Sequence, residues 1–185
     1  MSKYTKKEQE TINKVKKYLN ALRQINQEKF SLELEYEDIP LPQSIKYSDE
    51  GPGGYSKPKE NQITDRMIKR ELILKRLELF NEELNKFIPV TYLLSAGLRN
   101  IVNSYIYSKA YTEMIDTLES DYCITESTYK RHFPQMCLKL SSYLDLDNIP
   151  SLEKLNKEFN EYVKELNRSN KLNDLRKRVK DFKEG

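Results

Sequence analysis

From about Thr5 to Glu35 the apolar residues recur at steps of three and four. Ile12, Val15, Leu19, Leu22 and Ile25 (or its neighbour Asn26) form one narrow stripe, and lysines and glutamates fill the rest. That period predicts a helix, and so narrow a stripe on a charged helix predicts packing against another helix. The pattern stops at Asp38-Ile39-Pro40-Leu41-Pro42, because each proline lacks an amide donor and restricts the residue before it. The run from Ser48 to Pro58 holds three of the five glycines, so residues 38–60 read as a linker or exposed loop.

Helical periodicity resumes near Gln62 and runs to about Phe87. Met67, Leu72, Leu74 or Lys75, Leu77, Phe80 and Leu84 form a broad apolar side, Thr64 or Asp65 suits the start, and Pro89 marks a boundary. Three shorter helices follow. The first spans about Thr91–Tyr107 and turns Leu94, Leu98, Ile101, Val102 and Tyr105 inward. The second starts at Ser108 as N-cap and offers Tyr111, Met114, Ile115 and Leu118 to a core. A polar stretch over 119–124 leads to Thr125, which caps the third. There Tyr129, Phe133, Met136 or Cys137, and Leu140 share one face. The opposite face carries Glu126, Ser127, Thr128, Lys130, Arg131, Gln135 and Lys139. Pro134 falls inside this helix and predicts a kink or an interruption.

Beyond Pro150, Ser151 suits an N-cap and Glu153 the first turn of a terminal helix. Leu155, Phe159, Tyr162 and Leu166 keep coiled-coil spacing. Leu172, Leu175, Val179 and Phe182 resume it out of phase, which predicts a break, kink or stutter over 167–171. The expected fold is all-α. It has an N-terminal helical segment over 1–37, the loop at 38–60, a helical domain over 61–148 and an amphipathic basic helix over 149–185.

Composition agrees with long solvated helices: 37% of residues are hydrophobic, 33% are charged and tryptophan is absent. Scarce glycine argues against an all-β fold with its many tight turns. The net charge of +3 does not by itself indicate nucleic acid, so local charge must carry that argument. Residues 89–147 hold five Lys/Arg against seven Asp/Glu. Phosphate affinity would therefore draw on the basic tail (Arg168–Lys183) or on Arg66, Lys69, Arg70, Lys75 and Arg76. For the tail, pairing with another helix is favoured over direct DNA contact, and a homo-oligomer through this helix is one outcome. No apolar run approaches the ~20 residues of a membrane span, and the first residues lack a signal-peptide core, so a cytoplasmic protein is expected.

The chemistry of catalysis is missing from the pattern. His132 is the only histidine, which excludes a His-based dyad, triad or multi-His metal site, and it reads as a surface residue or phosphate neighbour. Cys123 and Cys137 form no CxxC and read as small reduced core residues. Gly51–Gly54 follow no strand and lead to no Gly-Lys-Ser/Thr, so they are not read as a phosphate loop. Glu113, Asp116 and Glu119 lie a turn apart and read as a solvated acidic face. Tyr92, Tyr105, Tyr107 and Tyr111 read as packing residues, since no platform for base stacking accompanies them. No enzyme activity, metal or cofactor is expected.

A short helix, a turn, and a second helix that begins with small polar residues and bears basic and amide side chains suit major-groove recognition. Ser127, Thr128, Lys130, Arg131 and Gln135 are the candidate DNA contacts, with Lys139 on phosphate. Arg131 suits a guanine edge and Gln135 an adenine edge. The stretch AYTEMIDTL…CITESTYKRHFPQMCLKLSSYL resembles the region-4-like helix-turn-helix of sigma factors, placed at about 108–144. The likeness covers the capping Thr125, the cluster Ser127-Thr128-Tyr129 and the periodic apolar residues ending in Lys139-Leu140. Over about residues 10–146 the layout resembles the phage late-gene transcriptional regulators of the RinA/ArpU type. That resemblance implies a phage or prophage protein in the bacterial cytoplasm that binds double-stranded DNA at a promoter and activates late genes with host RNA polymerase. Two other readings stay open. One is a DNA-packaging recognition subunit like a small terminase. The other is a helical protein-interaction module that does not bind DNA.

Overall fold

The computed structural model describes residues 4–40 and 58–183, and the side chains of 4–40 and 65–170. Six helices and no strand occur among the described residues: α1 (Lys6–Asp38), α2 (Pro58–Thr91), α3 (Ala96–Tyr107), α4 (Tyr111–Tyr122), α5 (Glu126–Leu140) and α6 (Leu152–Lys183). The all-α expectation is met. The predicted loop at 38–60 lies mostly outside the described residues; its edges are the end of α1 and the first turn of α2.

Helix α1 starts at a capping box. The Thr5 hydroxyl accepts from the Glu8 amide, and the Glu8 carboxylate accepts from the Thr5 amide at 2.8 Å. These hydrogen bonds hold the Glu8 carboxyl below its ordinary pKa. The whole predicted stripe from Ile12 to Ile25 is buried, with Leu32 and Ile39 continuing it. One flank faces α2, which runs antiparallel. Tyr18 packs on Phe87, Glu28 bonds Arg76 at 3.1 Å, and Glu35 bonds Lys69 at 2.8 Å. Arg70 closes the end of α1 by donating to the carbonyls of Tyr36 and Ile39, while its guanidinium lies 3.9 Å from the Tyr36 ring centre. This satisfies helix-end carbonyls that would otherwise lack donors.

The other flank of α1 holds the junction between α3 and α4. Arg23 and Gln27 both donate to the Lys109 carbonyl, Asn26 donates to that of Ile106, and Asn20 accepts from the Tyr105 hydroxyl. Helices α3, α4 and α5 pack on one another, and α1 lies across α3 and α5. The buried side chains of all these elements form one continuous core, centred on Phe80, Leu19, Leu22, Ile101, Met114, Leu118, Met136 and Leu140. Helix α6 returns antiparallel along α2, with Arg76 donating to Asn156 and Lys75 near the Tyr162 ring.

Several boundaries differ from the sequence expectation. Helix α2 begins at Pro58, so Thr64 and Asp65 lie within it, and it runs past Pro89 to Thr91. Proline near a helix end removes only one bond of the ladder, and the amides of Tyr92, Leu93 and Leu94 close the turn on Pro89, Val90 and Thr91. Helix α3 therefore starts only at Ala96, after Ser95. On α2, Met67 and Leu74 are exposed, while Ile73 and Leu79 take inward places. Ser108 ends α3 instead of starting α4. Helix α6 shows no interruption at 167–171; the polar Asn167–Asn170 side chains are exposed there, so a backbone break is not needed to solvate them.

Candidate nucleic-acid interface

Helices α4 and α5 are joined by only three residues, Cys123-Ile124-Thr125, because α4 runs on through most of the stretch read as polar loop. The reversal is made by Cys123, which sits in the left-handed region at φ 54° and ψ 33°. The amides of Cys123 and Ile124 both reach back to the Leu118 carbonyl, the latter at 2.8 Å, and close α4 around its left-handed residue. Glycine is the usual residue at such a position. Cysteine there carries about 1–2 kcal/mol of steric cost. Cys123→Gly is therefore expected to stabilise the fold by about 0.5–1 kcal/mol, once glycine's extra unfolded-state freedom is subtracted. A denaturant midpoint that falls would contradict the αL assignment.

Thr125 caps α5 as expected, its hydroxyl accepting from the Thr128 amide and lying 3.1 and 3.0 Å from the Ser127 and Thr128 hydroxyls. A second acceptor comes from α4, where the Glu119 carboxylate takes the Glu126 amide at 3.2 Å. Two orphan donors of α5 are thus satisfied, one locally and one across the turn. Thr125→Ala is expected to cost about 1 kcal/mol. Urea unfolding would check it, and an unchanged midpoint would remove the cap from the account.

The apolar face of α5 is buried as read: Tyr129, Phe133, Met136, Cys137 and Leu140. Burial raises the Tyr129 hydroxyl pKa and pushes the Cys137 thiol up to about 12, so both stay protonated and inert. At 100° per residue, Ser127, Arg131 and Gln135 fall at the centre of the opposite face, and all three are exposed. Lys130 and Lys139, also exposed, flank that centre on either side, with Thr128 half-buried on the Lys139 side. Lys139 sits in the last turn, where a cation complements the helix dipole. Every candidate contact residue is thus on the solvent side of one helix. Lys130 is engaged by Glu126 at 2.7 Å, and Glu126 also accepts from the Tyr111 hydroxyl at 2.9 Å. Lys130 first, then Tyr111, lowers the Glu126 pKa. Tyr111 was expected in the core; it is exposed because its hydroxyl is held at this surface contact.

Helix α5 continues through Pro134 from Glu126 to Leu140, with no break. The proline has no amide to give to the Lys130 carbonyl. Pro134 is only half-buried, on the side away from the core.

Other chemistry-bearing residues find structural roles. The Glu113 carboxylate accepts from the amides of Lys109 and Ala110 at 2.6 and 3.3 Å and so caps α4. With Glu119 at the start of α5, two of the four acidic residues on α4 serve helix ends. Cys137 is buried as expected, but Cys123 is exposed, because the αL turn carries its side chain off the core. Of the tyrosines read as packing residues, Tyr105 is buried, while Tyr92 and Tyr107 are exposed and the Arg99 guanidinium lies over the Tyr92 ring. Of the five residues read as a source of phosphate affinity, Lys69, Arg70, Lys75 and Arg76 are taken up by contacts with Glu35, the end of α1, Glu78, and Glu28 with Asn156, while Arg66 is exposed. The tail side chains beyond Asn170 lie outside the described residues. Among the described residues no group of His, Cys, Asp and Glu is arranged to hold a metal, and no helix is long and apolar enough to cross a membrane. No protein-family model, curated protein or solved structure matches the chain.

Proposed function

We propose that the chain binds double-stranded DNA through α5 and regulates transcription, in the manner of the phage late-gene activators its sequence resembles. The observation that carries this reading is the arrangement of α5 itself. It is capped at Thr125, follows α4 after a three-residue turn, and is anchored by five buried side chains. It turns Ser127, Arg131 and Gln135 outward between two lysines. Such a helix offers base-edge donors and acceptors near its first turns and cations for phosphates beside them. In this reading α4 crosses the DNA backbone, α5 enters the major groove as the recognition helix of a sigma region-4-like unit, and host RNA polymerase is the partner at the promoter.

The test is binding to fragments of the neighbouring genome at two salt concentrations with random DNA as competitor. One fragment retained against competition, with affinity falling steeply as salt rises, is the expected result. Equal weak binding to all fragments, or none, would end this reading. A second reading, a helical protein-interaction module, is favoured by one specific observation. Lys69, Arg70, Lys75 and Arg76 of α2 are engaged in contacts within the chain, and residues 89–147 carry more acid than base. Salt-insensitive capture of a protein partner without DNA affinity would decide for it.

A further inference from the structure

A chain of contacts runs along one edge of the exposed face of α5, where His132 is half-buried. Arg131 Nη2 lies 3.4 Å from His132 Nε2, and His132 Nδ1 lies 3.1 Å from Gln135 Oε1. A guanidinium can only donate, and a carboxamide oxygen can only accept. Both contacts hold together in only one form of the ring: neutral, with the proton on Nδ1 and the lone pair on Nε2. The opposite tautomer sets N–H against N–H on one side and lone pair against lone pair on the other.

Arg131 and Gln135 are the two residues at the centre of the face whose side chains suit a guanine and an adenine edge. Neither is consumed by the ring. Arg131 retains further donors, and the Gln135 oxygen keeps a second lone pair while its amide group stays free to donate. Long side chains that must be ordered on binding weaken it, and ordering them beforehand removes part of that cost.

Resting on the reading of α5 as a recognition helix, we propose that His132 is a positioning residue for base readout. Its Nδ1–H imidazole tethers Arg131 and Gln135 into one joint orientation, so that the two present themselves to the groove as a pair. His132 itself need not touch DNA.

Two measurements on the full-length protein test this. His132 is the only histidine in the chain, so a long-range ¹H–¹⁵N spectrum of the free protein at alkaline pH reports its tautomer without ambiguity. A proton on Nδ1 is expected; a proton on Nε2 overturns the tether. The second measurement is selection from a randomised duplex library with wild type, His132→Ala, His132→Asn and His132→Gln. Ala is expected to lose about tenfold of the preference at both base positions, within the range a bidentate contact supplies. Asn places a donor where Nδ1–H stood and is expected to rescue the position read by Gln135 alone. Gln places an acceptor where Nε2 stood and is expected to rescue the position read by Arg131 alone. No loss in Ala, or equal loss in all three, overturns the proposal. If wild type selects no site, the recognition reading fails, and the proposal with it. The spectrum still decides separately whether the tether exists.

Discussion

Leu19→Asp is expected to unfold the entire chain, leaving no folded remainder that has merely released its first helix. Leu19 is fully buried at the middle of the α1 stripe. Removing a buried leucine side chain costs about 2–5 kcal/mol. Burying a carboxylate without a partner adds several kcal/mol more. Together these approach or exceed the roughly 5–15 kcal/mol by which domains are stable. The loss spreads because α1 is not an appendage. Its buried residues share one core with α2, α3 and α5, and Arg23, Asn26 and Gln27 hold the carbonyls where α3 ends. Far-UV circular dichroism would show the loss of helix, with exposed Lys17→Asp as the folded control. A Leu19→Asp protein that still unfolds cooperatively at the wild-type midpoint would detach α1 from the core.

The double variant Lys130→Ala/Arg131→Ala is expected to reduce binding to a preferred DNA site to the level of random DNA while the fold persists. Both side chains are exposed, and the contact of Lys130 with Glu126 is a surface pair of a kind that adds little stability. Arg131 at a base edge supplies about 1–3 kcal/mol of discrimination. In the proposed reading Lys130 lies on phosphate, so its loss is expected to weaken all sequences alike and lower the salt slope by about one. The combined loss at the preferred site is roughly 10- to 100-fold or more. Gel-shift titration at two salt concentrations, beside a thermal melt, separates binding from folding. Undiminished site-specific binding by a folded double variant would remove α5 from the interface.

Where burial repeats with a helical period, the sequence was easy to read. The α1 stripe and the α5 apolar face were both legible residue by residue, because each helix is half covered and the uncovered half is charged. The polar face of α5 was legible for the same reason, since it is the complement of the buried one. Helix ends were harder. A left-handed helix end normally announces itself by glycine, and here Cys123 occupies that position, so the sequence places the end of α4 too early. Pro89 signals a stop in the sequence, though the last turn of a helix tolerates it. Broad faces were harder again. Helix α2 touches α1 on one side and α6 on another, so its inward residues follow no single stripe, and periodicity selects Met67 and Leu74 where Ile73 and Leu79 are buried. The roles of Glu113 and Glu119 depend on which helix end stands opposite them, which periodicity does not contain.

Pro134 is expected to divide α5 into two halves that open at different rates. Its missing amide leaves a gap in the backbone ladder between the turn that carries Lys130 and Arg131 and the turns that follow. The rear half is fastened by Met136, Cys137 and Leu140, all with no exposed surface, whereas the front half rests on Tyr129 and Phe133, which keep an exposed edge. Local opening is easiest where buried contacts and ladder bonds are fewest. The front turns are therefore expected to open more readily than the rear turns that seat the helix in the core, so amide exchange should run faster ahead of the proline than behind it.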